Sequence, residues 1–344
     1  MNMNVSDFGI HIGELPHGRR NSICDVEGVR VGHTTIDNEH SKTGVTVILP
    51  CEGNVFRDKL VAASFVLNGF GKTLGLVQVD ELGTLETPIA LTNTLNVGLV
   101  HDAIVEYMLG VCEKDGYPLR SINPVVCECN DASLNDIALR AVKKEHVFSA
   151  IENANVEFAL GDVGCGKGMT CHGLKGGVGT SSRLIELDGK QYTLGVLTQT
   201  NHGRLKDLRI DGKKTGEKIW KSMQDDAPDK GSCIVVVATD LPVSDRQLRR
   251  ILKRCGAGLV RNGSFLGHGS GDVFVGFTTA NRRFHSEKEV FTESVMNEDS
   301  MDKAFRACVE ATEEAVLSSL LNAHTVTGYS GKVRKSLTEY KELI

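Results

Sequence analysis

A glycine and a serine, Gly231-Ser232, stand where a polar stretch, residues 211–231, meets an apolar run that is predicted to be a strand, residues 234–238. A serine hydroxyl is almost wholly protonated at neutral pH, so it needs a neighbouring base to act as a nucleophile. Cutting the chain before the serine would supply its own α-amine, with an ordinary pKa of ~7.7–8.0, as that base. Glycine also tolerates a strained backbone that would present its carbonyl to Ser232 Oγ. The pair suggests a self-cleaved N-terminal serine, although a Gly-Ser pair in a loop is usually a simple turn.

A second polar run, Gly267-His268-Gly269-Ser270-Gly271-Asp272, precedes the apolar residues 273–277. Alternate residues of a strand point to the same side, so Ser270 and Asp272 could together orient one reacting group. A capped hairpin turn is the alternative interpretation. His268 is a candidate base, but a lone histidine in a glycine loop is more often incidental.

Two further polar side chains follow predicted strands. Glu128 lies at the end of an apolar run and could receive a cationic group, although a helix cap or a surface residue would look the same. Asn201 follows the predicted strand at residues 193–197, and its amide could donate a hydrogen bond to an oxyanion. Neither signal is specific by itself.

Two other patterns suggest cofactors but are incomplete. Residues 161–167 fit the phosphate-loop pattern G-x-x-x-x-G-K, but Gly168 stands where that motif requires a hydroxyl for Mg²⁺. A glycine loop in close contact with another element is the simpler prediction, and nucleotide binding is a minor alternative. Cys127 and Cys129 form a C-x-C pair without a matching second pair, which is a weak zinc signal. We therefore expect no metal and no cofactor.

The elements that must position these residues alternate along the chain. Apolar, β-branched runs of strand length are predicted at residues 45–49, 62–67, 156–160, 193–197, 234–238 and 273–277. Helical spacing of apolar residues predicts helices at residues 99–111 and 134–142, and at 245–255 with Ser244 or Asp245 as cap and Gly256 and Gly258 as stop. A last helix is predicted at residues 299–322, with Glu310, Glu313 and Glu314 on its solvated face. The polar residues 211–231 are predicted to be an exposed connection.

Composition excludes several functional classes. The chain has 344 residues, of which 40% are hydrophobic and 24% charged, and its net charge is −5. These values indicate a globular protein and disfavour nucleic acid as a partner, because we find no dense basic stripe. No apolar run approaches the ~20 residues that span a bilayer, and no signal peptide is recognised. We expect a cytoplasmic protein in which most of the ten cysteines are buried and reduced. The 37 glycines and few aromatic residues favour a layered α/β enzyme.

Taken together, these segments resemble the self-processing serine aminopeptidases, the family of the L-aminopeptidase/D-Ala-esterase/amidase and the β-peptidyl aminopeptidases. The resemblance spans nearly the whole chain. It is carried by residues 21–33, 86–89, 92–94, 97–98 and 161–169, by Lys175-Gly176-Gly177 with Gly179-Thr180-Ser181-Ser182-Arg183, and by residues 231–240.

The resemblance implies a single domain, 1–344, folded as a four-layer α/β/β/α sandwich and similar to N-terminal nucleophile hydrolases with different connectivity. It implies a cut between Gly231 and Ser232, which gives an α chain, 1–231, and a β chain, 232–344. Tetramers of such αβ units are usual in the family. By motif matching, Ser232 is the nucleophile, Ser270 and Asp272 orient it, and Asn201 belongs to the oxyanion hole. Glu128 matches the carboxylate that holds the substrate's ammonium group.

One position departs from the family pattern. Active aminopeptidases of this family often carry a tyrosine two residues after the glutamate, where this chain has Asn130. An amide cannot replace the stacking surface or the acidic hydroxyl of a phenol. We expect an aminopeptidase acting on short peptides, amides or esters with a free amine. The alternative is a catalytically weakened relative that binds a small amine ligand or a partner protein.

Overall fold

A computed structural model describes residues 2–223, 231–285, 289–290 and 292–344. Its strands are β1 (Arg30–Asp37), β2 (Lys42–Leu49), β3 (Asp58–Gly69), β4 (Thr84–Leu85), β5 (Ile89–Asn93), β6 (Val125–Cys129), β7 (Thr170–Cys171), β8 (Leu174–Lys175), β9 (Val178–Leu187), β10 (Lys190–Asn201), β11 (Ser232–Thr239), β12 (Gly271–Phe284), β13 (Val326–Thr327) and β14 (Val333–Arg334). Its α-helices are α1 (Leu76–Leu82), α2 (Val97–Lys114), α3 (Lys144–Glu152), α4 (Thr215–Met223), α5 (Asp245–Leu252), α6 (Cys255–Arg261) and α7 (Met301–Leu321).

Two sheets form the centre of the molecule. The larger has the strand order β4-β3-β12-β11-β10-β9, and the smaller has the order β1-β2-β5-β6. Strand β11 is antiparallel to β10 and parallel to β12. Helices α2 and α3 cover the smaller sheet, and α5 and α7 cover the larger one. The predicted α/β/β/α sandwich is confirmed.

Strand β11 shows how the sequence produces these layers. Its side chains alternate, so that Ile234, Val236 and Ala238 join the core between the sheets, while Cys233, Val235 and Val237 join the core under α5 and α7. A strand buried on both faces needs a continuous apolar run, and this explains why residues 234–238 lack the usual polar alternation. All eight residues of β11 are buried.

The prediction of a solvated acidic face on the last helix is wrong. Helix α7 exists as expected, but Glu310, Glu313 and Glu314 are at most 5% exposed. The guanidinium of Arg183, on β9, is fully buried and pairs with Glu310 at 3.3 Å and with Glu314 at 2.7 Å. Arg261 pairs with Glu313 at 3.1 Å. These carboxylates are compatible with the interior because cations compensate them.

Two other predicted elements are absent from the described residues. Residues 156–160 form no strand, and isolated bridges pair only the flanking Asn155 and Gly161. Residues 134–142 form turns and one short 3₁₀ segment, and the Asn135 side chain donates to Asp131 Oδ1 and accepts the amide of Lys42. Side-chain bonds of this kind compete with a helix.

Two helix boundaries also differ from expectation. Ser244 caps α5 through the Gln247 amide, as predicted, but α5 ends at Leu252 and both predicted stop glycines lie inside α6. Gly258 is needed there for packing, because a Cβ would lie 2.6 Å from the Cβ of Thr312 on α7. Within the predicted exposed connection, α4 forms and buries Ile219. Residues 224–230 of that connection lie outside the described residues.

One described helix, Thr94–Lys114, is long and apolar enough to cross a membrane, by length and composition only. Core helices can have the same length and composition, and here Val100, Ala103 and Ile104 are fully buried in the core of the smaller sheet. On the other side of the helix, Asp102 and Glu106 pair with Lys144. This arrangement is that of an amphipathic core helix.

Candidate active site

Ser232 lies at one end of the larger sheet, where the last residue of β10 and the first residues of β11 and β12 lie side by side. It is the first residue of β11, and Asn201, the last residue of β10, is its direct partner in the antiparallel register. On the other side, the parallel register pairs Cys233 with Asp272, so the start of β12 lies beside Ser232. The amide of Gly271 donates a hydrogen bond to Ser232 Oγ at 3.2 Å. Ser232 is 6% exposed, so its side chain is largely shielded from solvent.

Gly231 is required by close packing. A Cβ at this position would lie 1.6 Å from the Asn201 carbonyl oxygen and 2.9 Å from His202 Cα. This packing requirement is a reason for glycine at this position that the sequence did not reveal. The backbone at the proposed cleavage point is pressed against the end of β10.

Ser270 and Asp272 come together as their spacing predicted. Ser270 Oγ donates to Asp272 Oδ1 at 2.8 Å, and both side chains are buried. Ser270 lies just before β12 and Asp272 is its second residue. Because Gly271 between them contacts Ser232 Oγ, the pair belongs to the same small region as the serine.

Asn201 has a fixed amide orientation. Its Oδ1 accepts the Thr170 amide at 2.9 Å, and its Nδ2 donates to the Asn130 carbonyl at 2.9 Å. With oxygen and nitrogen assigned by different partners, the nitrogen side of the amide is the donor side. Thr170 was not identified from the sequence, because only the fold brings β7 against the end of β10.

Asn130 contributes its backbone carbonyl, not its side chain, to the site. Its carbonyl binds Asn201, whereas its side-chain oxygen accepts the amide of Ala132 at 3.0 Å in a local turn. The residue is exposed. The side chain therefore stabilises its own turn, and its carbonyl orients the neighbouring amide.

Glu128 is a buried carboxylate without a cationic partner among the described residues. It is 3% exposed, and it accepts the Lys72 amide at 2.9 Å and the Thr94 hydroxyl. The Lys72 ammonium lies elsewhere, 4.5 Å from the centre of the Phe70 ring. A Cβ on Gly71 would lie 3.8 Å from both Glu128 Oε1 and Gly271 Cα, which places the carboxylate close to the Ser232 region.

Lys175 is a buried support that the sequence did not reveal. Its ammonium donates to the carbonyls of Gly166, Met169 and Gly176 at 2.9, 2.8 and 2.6 Å. Burial lowers the pKa of Lys175 from 10.5 to about 7. The lysine connects the glycine-rich loop, residues 161–169, to β8. It therefore fixes the backbone that leads to Thr170.

The glycine-rich loop packs closely, as predicted. A Cβ on Gly161 would lie 2.1 Å from the Asn322 carbonyl oxygen. Lys167, the lysine of the phosphate-loop-like pattern, pairs with Asp37 at 2.8 Å and with Asp162 at 3.0 Å. In a phosphate-binding loop this lysine ammonium would contact the phosphate, but here it is neutralised by two carboxylates. The geometry therefore does not support nucleotide binding.

Three other sequence candidates do not contribute side chains to this chemistry. His268 is exposed and contacts the Phe70 ring. Cys127 and Cys129 are buried in β6, and Cys129 Sγ contacts the Ser232 carbonyl oxygen at 3.5 Å. Burial raises the pKa of both thiols, the Cys127 thiol to about 12. Cys129 therefore packs the smaller sheet against β11 as a neutral thiol.

The layers, together with a serine at the start of a central strand, define a class: hydrolases related to the N-terminal nucleophile fold. The chain belongs to peptidase family S58, whose model matches residues 21–334. It is therefore a hydrolase that acts on peptide bonds, of the serine aminopeptidase kind.

Relatives cover almost the whole chain. The beta-peptidyl aminopeptidase BapA of Sphingosinicella microcystinivorans is 38% identical, over 98% of this chain and 92% of the relative. The crystal structure of the PH0078 protein from Pyrococcus horikoshii OT3 is 44% identical with a TM-score of 0.93, covering 99% of this chain and 98% of that one. The l-aminopeptidase d-ala-esterase/amidase from Ochrobactrum anthropi, described as a variant of the Ntn hydrolase fold, is 31% identical with a TM-score of 0.92, covering 98% and 96%.

Proposed function

We propose that this aminopeptidase removes the N-terminal residue of short peptides, amides or esters that carry a free amine, with Ser232 as nucleophile after a cut between Gly231 and Ser232. The observation that carries the assignment is the register that sets Asn201 directly opposite Ser232. It places an amide donor beside the candidate nucleophile in a buried site, where a developing oxyanion gains most from a fixed donor.

The proposed cut uses the same nucleophile as the later hydrolysis. Ser232 Oγ attacks the Gly231 carbonyl carbon, the C–N bond breaks, and the proton of the hydroxyl is transferred to the departing nitrogen. Water then hydrolyses the ester and leaves a carboxylate on Gly231 and a free α-amine on Ser232. The close contact between Gly231 and Asn201 supports this proposal, because it restrains the bond that is cut.

In the substrate reaction, Ser232 Oγ attacks the substrate carbonyl while its own α-amine accepts the hydroxyl proton. The hydrogen-bonded pair Ser270 and Asp272 would orient the nucleophile and assist this transfer. The acyl-enzyme is then hydrolysed by water, and none of these steps requires a metal.

Glu128 accounts for the requirement for a free amine. A buried carboxylate without a cation among the described residues attracts an ammonium group, and Glu128 lies near the Ser232 region. The names of the relatives suggest that the accepted N-terminal residue includes β-amino acids. We therefore propose that β-alanine p-nitroanilide and alanine p-nitroanilide are both suitable first substrates.

Two further properties are proposed for the whole protein. Large apolar side chains are exposed at the end of β3 and in α1, including Phe70 at 59% and Val77 at 85%. A homo-oligomer such as a tetramer would bury them. All ten cysteines are buried, which suits a reducing, cytoplasmic location.

Intact mass measurement of the wild type and of Ser232→Ala tests the central proposal. We expect two wild-type chains whose masses sum to that of the full chain plus one water, whereas Ser232→Ala stays whole and does not hydrolyse alanine p-nitroanilide. Ser41→Ala, at another buried serine, should be cut normally. A folded wild-type protein that stays whole would favour the alternative of an inactive, amine-binding relative.

A further inference from the structure

Three potential metal ligands lie together beside the proposed cleavage point. Cys171 is the last residue of β7, His172 follows it, and His202 follows Asn201 at the end of β10. All three residues are at most 2% exposed. One ligand atom from each residue lies within 4.8 Å of the other two. The cluster therefore joins the hairpin of β7 and β8 to the strand end that carries Asn201.

The hydrogen bond of His172 fixes its tautomer. Its Nδ1 lies 3.1 Å from the carbonyl oxygen of Arg204. A carbonyl can only accept, so Nδ1 carries the hydrogen and the neutral ring has its lone pair on Nε2. Metal-binding histidines commonly donate their second ring nitrogen to a backbone carbonyl in this way, which orients the ring. His172 also has a φ of +47°, and its amide donates to the His202 carbonyl at 2.6 Å.

His202 has two buried ring nitrogens without a hydrogen-bond partner among the described residues. Such groups are rare in folded proteins and need a ligand, water or ion to explain them. A neutral imidazole nitrogen is the form that binds metals. The rings of His172 and His202 lie edge to face, with centres 5.3 Å apart.

We propose that Cys171, His172 and His202 bind one Zn²⁺ ion. One thiolate and two imidazoles form a ligand set that suits zinc, and they leave the fourth position of a tetrahedral ion for another ligand. Tetrahedral zinc bonds of ~2.3 Å to sulfur and ~2.0–2.1 Å to nitrogen set the ligand atoms roughly 3.3–3.6 Å apart, so these atoms, which lie within 4.8 Å of one another, would approach by up to about 1.5 Å. On binding, the Cys171 thiol gives its proton to solvent and the sulfur donates an electron pair to the ion.

The position of the cluster assigns the ion a positioning role. It would fasten β7, which supplies the Thr170 contacts to Asn201, to the residue that follows Asn201. The inference does not depend on the proposed role of Ser232, because none of its ligands is a proposed catalytic residue. Metal binding can therefore be measured in Ser232→Ala, and failure there would leave the proposed function intact.

Titration of chelator-treated protein with Co²⁺, as a spectroscopic substitute for Zn²⁺, tests the site. We expect one equivalent of cobalt to give tetrahedral d–d bands and a thiolate-to-cobalt charge-transfer band, in the wild type and in Ser232→Ala. Added Zn²⁺ should displace the signal and raise the thermal midpoint. Cys171→Ser should lose the charge-transfer band, and His202→Gln should weaken binding at least tenfold.

Control variants separate binding at this cluster from binding elsewhere. Cys51→Ser and His101→Gln change a thiol and an imidazole outside the cluster, and both should retain the wild-type cobalt spectrum. Circular dichroism identifies any cluster variant that fails to fold, in which case the wild-type stoichiometry and charge-transfer band decide the question. The proposal is overturned if folded wild type gives no charge-transfer band, or if the band survives in folded Cys171→Ser.

Discussion

Asn201 has both ends of its amide held by backbone groups, the oxygen by Thr170 and the nitrogen by Asn130. A donor fixed in this way needs little reorganisation when negative charge develops beside it. We expect Asn201→Ala to lower kcat for alanine p-nitroanilide by roughly 10²–10³-fold, with a much smaller change in KM. Steady-state kinetics on protein of verified fold measures this. An unchanged kcat would remove Asn201 from the oxyanion hole.

For Glu128 we predict a different effect, because this carboxylate would contribute to substrate binding and not to the chemical step. Glu128→Gln keeps the shape of the side chain but removes the charge that would attract an ammonium group. A charge-assisted hydrogen bond contributes about 1.5–3 kcal/mol, so KM for a free-amine substrate should rise by roughly 10–100-fold while kcat changes less. Glu157→Gln, on the exposed surface, is the control. Equal KM values for Glu128→Gln and wild type would contradict the role of Glu128.

The residues of the site could be named from the sequence because they flank apolar runs or lie in family motifs. Ser232, Ser270 and Asp272 were found in this way, and the structure brings them together at the start of β11 and β12. The role of Lys175 was missed although its carbonyl partners lie within nine residues, because the backbone path of the loop is not visible in the sequence. Thr170 and the cluster with His202 were missed because their contacts arise only when distant segments pack. Glu314 was misjudged for the same reason, since its partner Arg183 lies on β9.

At the scale of elements, strands were more predictable than connections. The runs in β2, β10, β11 and β12 are continuous and apolar because both faces are buried, and composition alone indicates this. Residues 134–142 have helical spacing, yet side-chain bonds from Asp131 and Asn135 fix a turn instead. Spacing cannot reveal such local competition.

The glycine-rich loop yields a prediction at this scale. Lys175 donates to three buried carbonyls, and Lys175→Met would remove this donor from all three, while the Gly166 and Met169 carbonyls would keep the amides of Met169 and Gly176. Because an unsatisfied buried polar group costs about 1–3 kcal/mol, we expect a loss of about that size in the free energy of unfolding, with faster hydrogen exchange in residues 164–176. Lys332→Met, at an exposed lysine, should change neither quantity. Unaltered exchange in the loop would show that Lys175 does not hold it.

At the scale of the whole molecule, buried ion pairs connect the N-terminal segment, β9 and α7. Burial raises the pKa of Glu314, but the hydrogen bond from His17 and the charge of Arg183 outweigh it and lower the pKa from 4.5 to about 2. A lowered carboxyl pKa stabilises the folded state above the unfolded pKa, and this contribution disappears as pH falls towards the folded pKa.

The pH dependence of Glu314→Gln follows from this sign. At pH 7 the variant should lose about 3 kcal/mol of unfolding free energy, because Arg183 keeps a buried charge with one partner fewer. The difference from wild type should shrink as pH falls from about 4.5 to about 2. Denaturant unfolding at several pH values measures it, with Glu157→Gln as an exposed ion-pair control. A difference that stays constant across this range would contradict the charge-based explanation.

The strand order has a consequence for how the molecule can be assembled. Strands β11 and β12 lie in the middle of the larger sheet, between β3 and β10, and both come from the segment that follows the proposed cut. Before the cut, folding is an event within one chain. After the cut, a denatured enzyme consists of two separate molecules, and its recovery should depend on protein concentration. The proposed cut would therefore change folding from a unimolecular reaction of the precursor to a bimolecular association of the two chains.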